Sequence, residues 1–187
     1  EVYSRSGASY YRHPECDKGF DCGAGEGDEA VRMNPAGTAV DESETTMNHE
    51  KHLSLGQLLP VVRAAQADGQ SVFLTNGCFD LLHPGHIHLF QRAGKLGDML
   101  IVAANSDDSI RRLKGISRPI LPEADRITML AALACVDYVV VFEEDTPIPL
   151  LEALQPDVLV KGDEYSLDEV VGHEVVLGYG GRVERVP

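Results

Sequence analysis

The sequence predicts an α/β domain of three layers, a parallel five-stranded sheet covered by helices on both faces. Short continuous apolar runs occur from Val72 to Thr75, Met99 to Ala104, Tyr138 to Phe142 and Val158 to Val160, and Arg182 to Val186 adds a fifth strand. Between the runs, apolar residues recur at helical spacing. Strands that are apolar on both sides are buried on both sides, as they are where crossover helices join parallel strands. In such sheets ligands bind at the carboxyl ends of the strands, so chemistry is expected in the loops after Thr75, Ala104, Phe142 and Val160.

The elements follow in order. Leu55, Leu58, Leu59, Val62 and Ala65 mark an amphipathic entry helix, with Ser54 as its cap and Gly69 closing it. The first strand runs into Thr75-Asn76-Gly77-Cys78-Phe79-Asp80-Leu81-Leu82-His83-Pro84-Gly85-His86. Gly77 permits a tight turn, and Pro84 suits the first position of a helix because its missing N–H would have had no partner there. His83 then falls at the cap and His86 three residues on, both beside the positive helix end, while Gly85 lets a bulky anion approach the backbone. Two imidazoles and free amides facing one phosphate are what nucleotidyl transfer needs, because charge builds on the α-phosphate oxygens in the transition state. The alternative, that both histidines only decorate a surface helix, fits poorly with a pair placed around glycine after such a turn. His88 points elsewhere on the helix and reads as structural or surface. Cys78 has no base placed for it and reads as a small apolar residue; Phe79 and Leu82 read as core. A later helix is expected from Arg126 to Leu133, and Glu143, Glu144 and Asp145 either form a solvated loop or cap a helix at Pro147.

Composition narrows the function. The 187 residues carry 16 Lys+Arg against 30 Asp+Glu, a formal charge of −14 that repels polyphosphate chains and disfavours nucleic acid or an anionic membrane as partner. No uninterrupted apolar stretch, whether Met99 to Ala104 or the longer Met129 to Val136, approaches the roughly 20 residues of a membrane span. Four cysteines form no disulfide framework, and a cytoplasmic location is expected. Residues 1–50 contain no Leu or Ile, and with 4 basic and 11 acidic residues they are expected to be disordered or borrowed, leaving 51–187 as the domain. His13, Cys16 and Cys22 lack a fourth ligand at zinc-like spacing, so no protein-held metal is expected. There is no Gly-x-x-x-x-Gly-Lys-Ser/Thr loop, which argues against a P-loop phosphotransferase.

Residues from about Val72 to Val186 resemble the adenylyltransferase domain of ADP-heptose synthases, within the cytidylyltransferase-like nucleotidyltransferases. The resemblance rests on Asn76-Gly-Cys-Phe-Asp80 and His83-x-Gly-His86, which mark the superfamily. Asn105-Ser-Asp107, Arg112-Leu-Lys-Gly115 with Arg118-Pro119, Phe142-Glu-Glu-Asp-Thr-Pro147 and Pro156-Asp-x-Leu-Val-Lys-Gly162 point to the heptose branch. It implies a Rossmann-like HxGH fold and transfer of AMP from ATP to D-glycero-β-D-manno-heptose 1-phosphate, giving ADP-heptose and pyrophosphate for lipopolysaccharide inner-core synthesis. It puts His83 and His86 on the nucleotide phosphates with Gly77, Cys78 and Phe79 beside them, Asp80 orienting the loop, and Lys114 reaching the triphosphate or sugar phosphate. Arg112 and Arg118 would help Lys114, Asp107 would face the substrate, and Arg126 would contact phosphates, unless it is an ordinary solvated helix charge. Lys161, Gly162 and Asp163 would lie by the base and ribose. Magnesium is expected with ATP, held by phosphates and water rather than a protein cage. The partners implied are ATP and a sugar 1-phosphate; a homo-oligomer is left open.

The chain reads Lys161-Gly162-Asp163-Glu164-Tyr165 where the family usually has Lys-Gly-Gly-Asp-Tyr, which shifts a carboxylate near the nucleotide. It starts at Glu1 rather than Met, as a fragment would, and stops at Pro187, before the family's Ser-Thr-Thr segment, so either the sequence is truncated there or one wall of the site is missing. In bifunctional relatives a sugar-kinase domain precedes this module. Two rivals remain open at this stage. One is a cytidylyltransferase acting on glycerol 3-phosphate or a phosphorylated amino-alcohol, and the other is a non-catalytic nucleotide-binding scaffold. The His-x-Gly-His of class I aminoacyl-tRNA synthetases is discounted because length and acidity leave no room for tRNA.

Overall fold

A computed structural model of the chain describes residues 50–163 and 166–187. The expected disorder of the N-terminal segment and the His13, Cys16 and Cys22 grouping fall outside the described residues, as do Glu164 and Tyr165.

The elements are α1 (Leu55–Ala67), β1 (Val72–Gly77), α2 (Pro84–Leu96), β2 (Met99–Asn105), α3 (Asp107–Lys114), α4 (Glu123–Ala131), β3 (Tyr138–Phe142), α5 (Ile148–Leu154), β4 (Val158–Gly162), α6 (His173–Gly178) and β5 (Arg182–Val186). All five strands are parallel, in the order β3-β2-β1-β4-β5. The chain therefore builds outward from β1 in one direction and then resumes on its other side with β4. That reversal makes the β1/β4 boundary the topological switch point, where a crevice opens at the carboxyl edge.

Alternation along each strand divides the core into two layers. Leu74, Ile101, Val140 and Leu159 face one side of the sheet and pack with Leu58 and Val62 of α1, Leu151 of α5 and Val176 of α6. Phe73, Val102, Val139 and Val158 face the other side and pack with Phe90 of α2 and Ile127 and Leu130 of α4. Burying strands on both faces is what their unbroken apolar runs require.

Local chemistry sets the boundaries. Ser54 and Gln57 form a reciprocal capping box at the start of α1, the Ser54 N–H donating to the Gln57 side chain at 3.0 Å. Ahead of it, Leu53 N–H donates to the Val139 carbonyl at 3.0 Å and Lys51 Nζ to the Val136 carbonyl at 2.7 Å, so residues from Lys51 onward cover the outer edge of β3. The helix expected from Arg126 begins at Glu123 instead: Pro122 sits at its cap, and Glu123 and Asp125 in the first turn complement the helix dipole. Pro147 caps α5 by position without a side-chain bond, and Glu143, Glu144 and Asp145 stay exposed, so the solvated-loop reading holds there.

Where β2 begins, Gly97 lies against the sheet, and a Cβ added to it would stand 2.0 Å from the Phe73 ring. Gly97→Ala is therefore expected to lower unfolding free energy by about 1–3 kcal/mol through overpacking. Gly56→Ala, on α1 with open space around the added methyl, should be neutral or stabilising by up to about 1 kcal/mol. Paired urea unfolding curves check this; equal effects at the two sites would contradict the packing assigned to Gly97.

Candidate active site

The carboxyl edge of the sheet opens into a cavity of about 720 Å³ at the switch point. Its origin lies in the strand pairing. β1 and β4 are in register only at Phe73–Val158 and Leu74–Leu159, and beyond that pair the two strands part. Lys161 reaches across the gap, its Nζ donating to the Asn76 carbonyl at 2.7 Å. The wall carries Asn76, Gly77, Cys78, Phe79 and Asp80 from the first loop, His83 and His86 from α2, Lys114 and Arg118 from and after α3, and Lys161 and Gly162 from β4. Eleven residues expected at a site from sequence are thus brought to one surface, from segments up to 86 positions apart.

The first loop turns on two unusual backbone demands. Phe79 adopts a left-handed φ of 44°, rare for a bulky residue, and its ring is tucked beneath Gly77, where a Cβ would stand 3.1 Å away. The same ring meets Phe90 edge-on at 5.2 Å and His86 at 5.3 Å, so core packing holds the turn in place. His83 stands at the cap of α2 with Pro84 after it, and no side chain caps the helix. Pro84 has no N–H and the Ile87 N–H is turned to the His83 carbonyl at 3.3 Å, so it is the Gly85 N–H that the first turn offers a ligand. The rings of His83 and His86 stack at 3.8 Å and 27°. A Cβ on Gly85 would lie 3.0 Å from the His83 ring, which is why glycine stands between them. His88 is exposed on α2.

Asp80 fixes the far side of the loop. Its carboxylate accepts from the Arg118 guanidinium at 2.7 Å and from the N–H groups of Ile120 and Leu121 at 2.7 and 3.0 Å. Partial burial pushes this carboxyl up, but the bonds from Leu121, Arg118 and Ile120 outweigh it and hold it below its ordinary value. Burial raises the Cys78 thiol against the pull of Lys114 and Arg126, so Cys78 meets the cavity as a thiol rather than a thiolate nucleophile.

Arg126 corrects the sequence reading in both its versions. It is neither solvated nor turned to the cavity: it is 1% exposed, and its guanidinium donates to the carbonyls of Cys78 at 2.8 Å and Leu121 at 3.2 Å and to the Asp107 carboxylate at 2.8 Å. Three of its five N–H groups are held by three separate segments, and the side chain lies off the cavity wall. Asp107, expected to face substrate, is committed to the same pair and lies off the wall. Arg112 also lies off the wall, pairing with Asp145 at 2.7 Å and donating to the Glu143 carbonyl. Asp163 is exposed and is tied by its N–H to the Val186 carbonyl at 2.9 Å. Gly85 lies under the His83 ring rather than on the wall. Sequence reasoning missed Thr75, Asn105, Pro147 and the rim from Glu169 to Val171, all of which line the cavity. Thr75 ends the apolar run of β1 and Asn105 ends β2, and those positions were the available signal.

Among the described residues no three His, Cys, Asp or Glu side chains cluster to hold a metal, and no helix is long and apolar enough to cross a membrane.

Residues 74–180 match the family model described as cytidylyltransferase-like. The chain is 45% identical to the bifunctional protein HldE of Geotalea uraniireducens, over 100% of this chain and 41% of that protein. It is 56% identical to the bifunctional protein HldE of Geobacter sulfurreducens, over 71% of this chain and 27% of that protein. It thus spans less than half the length of these curated relatives. A lipopolysaccharide core biosynthesis protein from Thermoplasma volcanium superposes with a TM-score of 0.55 at 27% identity, covering 64% of this chain and 98% of that one. A pantoate-beta-alanine ligase from Francisella tularensis, 15% identical with a TM-score of 0.54 over 73% of this chain and 66% of that one, shares the fold.

Two measurements test the loop. Arg126→Met takes the donor from two carbonyls and leaves Asp107, partly exposed, with Arg111 at 3.8 Å, so it should cost about 3 kcal/mol of stability, the low end for a broken buried ion pair; a loss under about 0.5 kcal/mol would mean a solvated charge. Asp80 gives a pH signature. Because its folded pKa is depressed, its contribution is complete above the unfolded value and is lost as pH falls through the folded one. Acid unfolding should therefore be shallower below about pH 4 in Asp80→Asn than in the parent chain; identical slopes would remove Asp80 from the acid-sensitive set.

Proposed function

Since this chain belongs to the cytidylyltransferase-like family, we propose that it transfers the adenylyl group of ATP to D-glycero-β-D-manno-heptose 1-phosphate, giving ADP-heptose and pyrophosphate for lipopolysaccharide inner-core synthesis. The observation that carries the reading is the stacked His83–His86 pair at the uncapped start of α2, open to a cavity whose other cations are Lys114, Arg118 and Lys161. High identity to HldE proteins supports the heptose acceptor.

The chemistry follows from the charges. The acceptor phosphate is already a dianion, so it attacks the α-phosphorus without a strong general base, and catalysis rests on positioning and charge stabilisation. The histidines and the Gly85 N–H meet the α-phosphate oxygens as charge grows there. Lys114 and Arg118, on the other side of the first loop, draw the second phosphate toward the same point against a net charge of −14. The bond from the α-phosphorus to the oxygen bridging to the β-phosphate breaks as the new P–O bond forms, and pyrophosphate leaves.

Magnesium bound to ATP would neutralise the triphosphate. The donor set fits an ion carried by its phosphates and water, since the wall carboxylates Asp80, Glu169 and Asp145 are each bound to neighbouring groups of the chain. Adenine and ribose would lie toward Lys161 and Gly162. ATP as donor and the free thiols of Cys78 and Cys135 fit a cytoplasmic enzyme.

Incubation with ATP or CTP and each of heptose 1-phosphate, glycerol 3-phosphate and a phosphorylated amino-alcohol, read by pyrophosphate release, separates the substrate pairs. His86→Ala should lower kcat roughly 10²-fold or more, with a smaller change in ATP affinity. His86→Asn should recover part of that rate if hydrogen-bond donation is what matters. Wild-type turnover by both His83→Ala and His86→Ala would remove the loop from the mechanism.

A further inference from the structure

We propose that Asn105 reads a hydroxyl group of the acceptor sugar, and so sets acceptor specificity; the assignment rests on the adenylyl-transfer reading above. The strand ends divide the cavity. The histidine loop stands over β1 and Lys161 and Gly162 over β4, while Asn105 ends β2, with Lys114, Arg118 and Asp145 on its side. With the nucleoside toward β4 and the reacting phosphates at the histidines, the sugar of the second substrate falls to the β2 side.

Asn105 is 5% exposed, yet it lies on the cavity wall. Its amide orientation follows from its neighbours. Ser109 Oγ donates its single proton to the Glu144 carbonyl at 2.9 Å, so toward Asn105 it acts as an acceptor, and Asn105 Nδ2 supplies the donor at 3.0 Å. Ser109 is itself fixed, fully buried on α3 with its N–H bound to Ser106 Oγ at 3.1 Å. The amide nitrogen is thereby held against α3, and Oδ1, which has no hydrogen-bond partner among the described residues, is the atom left for a ligand. A fixed carbonyl oxygen repels phosphate oxygens and accepts from a hydroxyl. It belongs with the polyol part of the acceptor, not with its phosphate. A site built this way discriminates, because an acceptor without the matching hydroxyl leaves a buried oxygen unpaired.

The test is steady-state kinetics of the full chain with ATP, heptose 1-phosphate and single-deoxy analogues of that sugar phosphate. Asn105→Ala should raise the acceptor KM roughly tenfold or more and leave the KM for ATP within about twofold. For one deoxy analogue the wild-type chain should lose about as much as the variant loses with the parent sugar, and the variant should lose nothing further on that analogue. Should Asn105→Ala fail to fold, Ser109→Ala serves instead: it frees the amide to rotate, and should raise the acceptor KM by a smaller factor, roughly threefold, with the same deoxy analogue insensitive to the change. An active wild-type chain whose Asn105 and Ser109 variants keep the acceptor KM, or shift only that for ATP, overturns the Asn105 assignment alone. A wild-type chain inactive with ATP and every sugar 1-phosphate overturns the adenylyl-transfer reading and this assignment with it.

Discussion

A single buried cation, the guanidinium of Arg126, holds the candidate site together. It joins three segments that the sheet topology brings side by side without fastening: the loop after β1 at Cys78, the start of α3 at Asp107, and the turn before α4 at Leu121. A charge so deeply placed is tolerable only when its donors are matched, and here a carboxylate and two carbonyls match it. The neighbouring Asp80 completes the brace from the other direction, tying the same loop to Arg118, Ile120 and Leu121. Between these fixed points Phe79 can hold its left-handed turn, and the turn delivers α2 with His83 and His86 at its uncapped end. The loop's rigidity thus starts from a buried side chain that lies off the cavity wall.

Topology supplies the space. A sheet that reverses its order beside β1 must leave a crevice, and the short β1–β4 pairing widens it toward the carboxyl ends. Cations are gathered there against the sign of the whole chain, which is −14. A repelling surface with a local basic pocket selects small phosphorylated molecules over long polyanions. Lysines, an arginine and two imidazoles around one cavity also explain why no proton-relay triad is needed. In the proposed reaction the acceptor phosphate arrives already ionised.

The layers, the strand count and the loop carrying the histidines were legible in the sequence because each has a local signal. Unbroken apolar runs mark doubly buried strands, and Gly77, Pro84 and the paired histidines mark a strand-to-helix turn. Strand ends were read one to two residues short, since Asn76, Gly77, Asn105, Lys161 and Gly162 continue the ladder with polar or small side chains that carry no hydrophobic mark. What could not be read was the difference between a charge that meets a ligand and one that meets the protein. Arg126 and Asp107 pair across 19 positions, and nothing in either segment announces the other. Asn105 was hidden for the same reason: its role depends on Ser109 and on the Glu144 carbonyl, which come together only in the folded chain.

The central claim is that the loop after β1 presents the α-phosphorus of ATP to a sugar phosphate. The most direct measurement is 31P NMR of the reaction with heptose 1-phosphate carrying 18O in its phosphate oxygens. Attack at the α-phosphorus places the label in the bridging oxygen and the sugar-side phosphate of ADP-heptose and leaves pyrophosphate unlabelled. Formation of ADP with a labelled sugar diphosphate would locate the attack at the γ-phosphorus and contradict the account, as would an unchanged mixture of ATP and heptose 1-phosphate.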